Sequence, residues 1–268
     1  VKGEFEMSER RACRVMNVHR ATFRYELKAK GSKALLQKVR EVANKHPSYG
    51  YRRIHNRLGR LGFSMSLNKF RRIYAQEKLK ARRRRNPRRI HGQGGYLPPV
   101  QAKKPLDLWA MDFMYETTMT GRRMRLLTII DHHSRYCPGI FVKSGFSALD
   151  LCKVLDHLIE IEGKPNAIIS DNGTEFTAHE FKAWAERKGI QLFYIRPGRP
   201  VENGMIESFN GRVRDECLNP SDFTSLEDAG DQLEKWRVHY NEERPHSSLG
   251  YVSPSEFMKQ SKLDNGLE

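Results

Sequence analysis

Cysteine is scarce in this 268-residue chain and is not arranged to do anything jointly. Cys13, Cys137, Cys152 and Cys217 are scattered, with no C-x-x-C spacing. That excludes a disulfide scaffold and a zinc knuckle and points to a reducing compartment. Long apolar runs are also missing. Wholly apolar stretches are short, as in Leu126-Leu127, so no segment reads as a membrane span and none near the N-terminus reads as a signal peptide. A cytoplasmic location is therefore expected. The chain begins at Val1 rather than Met, as expected either of the later part of a longer translation product or of a trimmed chain. Acidic residues are rare in the first 104 positions, where 6 Asp/Glu face 29 Lys/Arg; the remaining 164 positions hold 26 acids and 19 bases. The formal charge of +16 is thus segregated. The first part is built to meet a polyanion, and the second keeps its acids for another purpose.

Residues 8–27, SERRACRVMNVHRATFRYEL, read as helix, turn, helix. Ser8 is the N-cap, Asn17 marks the turn, and Arg20 and Arg24 share a face of the second helix, where they can reach DNA. Residues 32–80 form a second helical unit. Ser32 caps a helix running to Lys45, His46-Pro47 breaks it, and SYGYRRIHNRLGRLGF supplies another that carries Arg52 and Arg53 and ends at Gly62. Ser66 caps a third, with Leu67, Phe70, Ile73 and Tyr74 as its apolar stripe and Arg71 and Arg72 outside it. Arg82, Arg83, Arg84 and Arg85 belong to a run that stays extended until a polyanion neutralises it. The Gly- and Pro-rich stretch 91–105 is the linker. The expected domains are 1–30, helix-turn-helix-like; 31–90, helical and DNA-binding; and 106–268, a core with a helical tail.

From 106 onward the texture becomes that of a sheet. LDLWAMDFMYE and RRMRLLTIIDHHSRYCPGIFV read as three strands. A helix over 147–162 follows, then the strand NAIIS, a helix over 177–188 capped by Thr177, the strand IQLFYI, and helices opening near 204 and 225. Three strands followed by helix–strand alternation give a mixed sheet covered by helices.

Three acids stand out by position. Asp112 interrupts the apolar strand LWAMDFM. Asp171 follows NAIIS, at a carboxyl strand end where a crevice opens. Glu207 lies in the first turn of the helix after Asn203-Gly204. A charge in an apolar strand is costly unless compensated, and a divalent cation shared by carboxylates compensates it; hard oxygen ligands suit Mg²⁺ or Mn²⁺. Asp131, in TIIDHHSR, competes for such a role but fits structural hydrogen bonding better. On the helix, Glu207 and Arg214 are seven apart, roughly 20° from eclipsed, with Asn210 between them. Ile206, Phe209, Val213 and Cys217 form the neighbouring apolar stripe. The helix can anchor in the core and present an acid, an amide and a cation along one rim. Arg196 and Arg199, in the loop before it, are weaker candidates for DNA contact, and His246 reads as structural.

With 35 residues between Asp171 and Glu207 and a base seven beyond the glutamate, this pattern resembles the DDE cores of retroviral-type integrases. DNGTEF, NGMIESFNGRVRDECLN and YNEERPHSSLGYVSPSEF are similar, more narrowly, to second-frame (OrfB) transposases of the bacterial insertion-sequence family IS-three, and HPSYGYRRIHNRLGRLG to the helical module before their core. The resemblance implies an α/β (α+β) class: a ribonuclease-H-like mixed five-stranded sheet flanked by helices, preceded by an all-α region of helix-turn-helix type. It implies Asp112, Asp171 and Glu207 as catalytic ligands of two Mg²⁺ (or Mn²⁺) ions, strand cleavage and joining at element ends, target DNA as second partner, and a working homo-oligomer. It also implies an upstream frame fused by frameshifting. Arg214 stands where many relatives have Lys, which keeps the charge and adds bidentate phosphate contact. Two rival readings remain open: a non-catalytic DNA-binding regulator, in which all three carboxylates are dispensable, and a ribonuclease-H-like nuclease that cuts without joining.

Overall fold

The computed structural model describes residues 7–24, 33–79, 101–196 and 203–264. Contacts divide the chain into Val1–Ala81 and Arg82–Glu268. The Arg82–Arg85 run, Arg199, Ser32 and most of the linker lie outside the described residues.

In the first unit, α1 (Glu9–Val15) and α2 (Arg20–Phe23) flank a turn in which Asn17 takes a left-handed φ of 49°. The Ser8 hydroxyl caps α1 by accepting from the Arg11 amide. Helices α3 (Lys33–Lys45), α4 (Tyr51–Arg60) and α5 (Leu67–Gln76) enclose a small core of Val39, Ile54, Leu58, Phe70 and Ile73. Gly62, at φ 85°, lets the chain reverse after α4, and the Ser66 hydroxyl caps α5. Leu67, read as part of the α5 stripe, is exposed instead, because it opens the helix ahead of the turn that packs.

In the second unit, β1 (Leu108–Thr117), β2 (Arg123–Asp131), β3 (Gly139–Lys143), β4 (Ala167–Ser170) and β5 (Gln191–Tyr194) form one sheet in the order β3-β2-β1-β4-β5. The β1–β2 and β2–β3 pairs are antiparallel, and the β1–β4 and β4–β5 pairs are parallel. Alternation along β1 sends Trp109 and Met111 to one face and Leu108, Ala110 and Met114 to the other. The first face packs under α6 (Ala148–Glu162), α7 (Thr174–Thr177) and α8 (His179–Lys188). The second packs under α9 (Gly204–Val213) and α10 (Leu226–Glu242). Ser147 and Asp150 form a capping box on α6, and Gly163 closes it with φ 95°.

The helix expected over 177–188 is broken in two. Thr177 is the last residue of α7, not a cap; its hydroxyl donates to the Gly173 carbonyl, and Ala178 adopts the extended cap conformation of α8. The helix opening at Gly204 does not stop at Val213. Arg214–Leu218 continue it as a π turn, with the Asn219 amide donating to the Arg214 carbonyl at 2.8 Å. After α10, a 3₁₀ turn (Ser247–Leu249) leads into α11 (Pro254–Asp264).

One buried ion pair ties this tail to the π turn. Arg244, 1% exposed, grips Glu216 through Nε–Oε2 at 2.9 Å and Nη2–Oε1 at 2.5 Å. Removing one partner leaves the other charged and buried, at a cost of about 3–5 kcal/mol, whereas an apolar pair of similar volume is close to neutral. Urea unfolding should therefore show Glu216→Ala losing about that much, and Glu216→Leu with Arg244→Met recovering most of it. A Glu216→Ala variant within about 0.5 kcal/mol of the parent would refute this role for the pair.

Candidate active site

Strand register brings the two aspartates together. Leu108 pairs with Ala167 and Ala110 with Ile169; carried on at the same offset, Asp171 falls level with Asp112 on the neighbouring strand, about 4.8 Å across the sheet. By alternation both belong to the face that α9 covers. Asp171 sits just past the end of β4 and shapes its own turn: the Gly173 amide donates to its Oδ1 at 3.0 Å. A Cβ on Gly173 would lie 3.0 Å from that oxygen, so the glycine permits the turn.

Helix α9 supplies the third carboxylate. Ile206, Phe209 and Val213 are fully buried against the sheet, which turns Glu207 toward the aspartates. The proximity registers electrostatically: Asp112 is pushed up to about 6, first by burial and then by the nearby charges of Asp171 and Glu207, against the lowering effect of hydrogen bonds from the Phe113 amide and Asn210. Among the described residues, no group of three or more His, Cys, Asp or Glu is drawn together tightly enough to enclose an ion. The donor set nonetheless fits a hard divalent cation. It consists of carboxylates from three elements whose mutual repulsion a cation would relieve, and each carboxylate oxygen that accepts one hydrogen bond keeps a second lone pair.

Asn210 does not face outward. It is 7% exposed; its Nδ2 donates to Asp112 Oδ2 at 2.8 Å, and its Oδ1 accepts from the Thr128 hydroxyl at 2.8 Å. Thr128 lies directly opposite Asp112 across β1–β2. Expected as a DNA contact, Asn210 is instead buried behind Asp112 with both ends of its amide engaged, because it falls on the core-facing side of α9. Thr128 was not anticipated; in sequence it is one more β-branched strand residue, and only the register reveals it.

Arg214, partly exposed, keeps to the outer rim, 3.8 Å from Glu116. Arg125 was also missed. It clamps Glu175 with both terminal nitrogens, stacks 3.8 Å from the Phe113 ring centroid, and lies within electrostatic range of Asp171. Asp131 is structural, as expected: fully buried, it accepts from the amides of Leu106, His133 and Ser134 and from the Ser134 hydroxyl. His246 is buried and packs edge-on against Tyr240.

In the first unit, Arg20 and Arg24 both pair with Glu9, at 3.1 and 2.8 Å. Arg52 and Arg53 lie over the rings of Tyr51 and Tyr49, and Arg71 and Arg72 are exposed. Arg196 is exposed at the edge of the described core.

A sheet of this order with carboxylates on β1, after β4 and on α9 defines an integrase-type polynucleotidyl transferase core. Residues 102–200 and 188–254 match two families described as integrase core domain, and residues 31–87, which include α3 to α5, match an HTH-like domain. Over 252 residues the chain is 40% identical to an insertion element IS476 protein of Xanthomonas euvesicatoria, covering 94% of this chain and 72% of the relative. It is 36% identical to an insertion element IS407 protein of Burkholderia multivorans, covering 96% and 92%. It is 27% identical to transposase InsD of insertion element IS2 from Escherichia coli, covering 87% and 80%. The chain belongs to the IS-three family of insertion-sequence transposases and is a transposase of the DDE integrase-core class. The simian T-cell lymphotropic virus intasome, at 16% identity and TM-score 0.54 over 82% of this chain and 74% of that one, shares the fold. No helix among the described residues is long and apolar enough to cross a membrane.

Burial of Asp112 has a measurable consequence. Folded, the carboxyl holds its proton to about pH 6; unfolded, to about pH 4. The native state binds more protons between those values, so its stability falls as pH rises through that window. In EDTA, Asp112→Asn should be more stable than the parent above pH 6, by up to about 3 kcal/mol, and should lose the advantage below pH 4. Urea titrations of both proteins from pH 4 to 7 measure the difference. A constant gap across that range would contradict it.

Proposed function

We propose that Asp112, Asp171 and Glu207 are the catalytic triad of this transposase and together hold two Mg²⁺ ions during cleavage and joining of insertion-element ends. The reading is supported by the strand register, which runs Asp171 level with Asp112, and by the 2.8 Å hydrogen bond from Asn210 to Asp112, which draws the helix that carries Glu207 onto β1. When bound, divalent cations there supply Lewis-acid activation of a water or a 3′-hydroxyl and stabilise the leaving oxygen of an in-line displacement. The protein's own groups do the positioning. The Thr128–Asn210 relay holds Asp112 Oδ2, and the Phe113 amide holds Oδ1. The Gly173 amide sets the Asp171 carboxylate, and the apolar stripe of α9 fixes Glu207. Arg214, at the start of the π turn, contacts the DNA backbone near the reacting phosphate in this reading, assisted by Arg196 and Arg199. The N-terminal unit, through Arg20, Arg24, Arg52, Arg53, Arg71 and Arg72, and the Arg82–Arg85 run hold the terminal repeat, with 31–90 as the DNA-binding domain. The protein acts as a dimer or larger assembly on DNA, with a second duplex as target.

The test is cleavage and strand transfer on element-end DNA. Glu207→Gln should lower both steps by at least about a hundredfold, the scale of losing several kcal/mol of transition-state stabilisation, while leaving end-DNA affinity unchanged. Cleavage retained in that variant, or strand transfer that persists in EDTA, would refute the triad assignment. Cut products without joined ones would favour a nuclease.

A further inference from the structure

Helix α9 has a third face. At 100° per residue, Glu207, Asn210 and Arg214 fall on one side, and Ile206, Phe209 and Val213 on a second. Gly204, Met205, Ser208 and Arg212 fall on a third, roughly 120° from each of the others. This third face walls a cavity of about 320 Å³ that is completed by Arg135, from the turn after β2, and by His246 and Ser248 of the tail. At about 30 Å³ per liquid water, it accommodates a tetrahedral oxyanion together with part of its hydration shell.

Among the described residues that line it, the cavity presents two guanidiniums and no acid. Arg135 donates to the His132 carbonyl at 2.8 Å and touches the Met205 sulfur; Arg212 donates to the Ser208 carbonyl at 3.2 Å. Among the described residues neither guanidinium lies within ion-pair distance of a carboxylate. The two acids that reach them through space are already committed, Asp131 to four donors and Glu216 to Arg244. Burial holds both guanidiniums below their ordinary value; Arg135 is further lowered by Arg212, and Arg212 by Arg244. Tyr240, in electrostatic range of both, is fully buried with a hydroxyl that finds no partner among the described residues. Partly desolvated like charges beside an unsatisfied hydroxyl are costly, and an anion seated between the guanidiniums removes much of that cost.

We propose that this cavity is a phosphate site that takes a backbone phosphate of the DNA strand engaged at the neighbouring carboxylates. Two guanidiniums offer bidentate donors. The hydroxyls of Ser208 and Ser248 and the first-turn amides of α9 add neutral ones. The two faces of α9 are separated by about one helix diameter, 10–12 Å. At no less than about 3.4 Å per nucleotide along a strand, that spans at most about three nucleotides, so the phosphate held here lies within about three positions of the scissile one. The DNA assignment rests on the transposase reading above; the anion site itself does not.

Three measurements separate these parts. Inorganic phosphate should raise the melting temperature of the full chain above that in chloride of equal ionic strength, and no difference would overturn the site. Arg212→Gln should abolish the rise and Arg212→Lys should retain part of it; a full rise in Arg212→Gln would also overturn it. Should Arg212→Gln fail to fold, Arg135→Gln takes its place. On a short duplex without metal, the plot of log affinity against log salt should become shallower by about 1 in Arg212→Gln. An unchanged slope alongside a lost phosphate response would identify a free-anion site and overturn the DNA assignment. Glu207→Gln should keep the phosphate response in full, so a failure of the catalytic reading leaves this result standing.

Discussion

Burial of Ile206, Phe209 and Val213 against the sheet is the contact from which the rest of the core follows. A helix free to roll could offer any of its sides to β1. With three fully buried side chains and the Phe209 ring packed edge-on against Trp236 and Tyr240, rolling α9 means opening the core at about 3–5 kcal/mol for the aromatic alone. The rotation is therefore fixed, and with it the side that carries Glu207, the inward aim of Asn210 and the wall that carries Arg212. The π turn at Arg214–Leu218 lengthens this commitment. It keeps Cys217 and Leu218 buried and hands Glu216 to Arg244, which anchors the tail.

Placing three carboxylates beside that contact opposes stability. Asp112 is largely buried, and its charge is disfavoured both by burial and by two neighbours of the same sign. Among the described residues, the fold answers at Asp112 with hydrogen bonds rather than with an adjacent cation. Asn210 and the Phe113 amide each donate to Asp112, and the nearest strand arginine, Arg125, is occupied by Glu175. A cation locked onto Asp112 would stabilise the folded protein while competing with any divalent ion. An amide donor orients the carboxylate and leaves its charge available, the arrangement by which a second layer of groups tunes a metal-binding carboxylate.

Much of this was legible in the sequence, for identifiable reasons. The charge split, the strand run from 108 to 143, the helix over 147–162 and the apolar stripe of α9 are local patterns, and local patterns survive into the structure. The three acids drew notice for their settings, one within an apolar strand, one at a strand end and one in a helix's first turn, and the fold brings the other two within electrostatic range of Asp112. What stayed hidden depends on residues distant in sequence. Thr128 matters because register sets it across from Asp112, Arg125 because it reaches Glu175 fifty positions away, and Asn210 because its helix rolls inward rather than outward. The break at Ala178 was missed because Thr177 is an ordinary cap residue. Its hydroxyl is instead drawn back to Gly173, which closes a separate turn beside Asp171.

The segregation of charge assigns different work to the two parts of the chain. With a surplus of acids after position 104, the core cannot draw DNA by net charge, and its long-range field opposes a polyanion. Counterion release, the sequence-independent source of affinity, must come chiefly from the basic first part. On the proposed reading, cations in the core act where they are individually placed: Arg214 on the outer rim of α9 and Arg135 with Arg212 on its third face. An acidic surface with a few fixed guanidiniums binds a strand weakly in most registers and well in one. That is what a site requires when it must act at a single phosphodiester while another region of the chain holds the duplex.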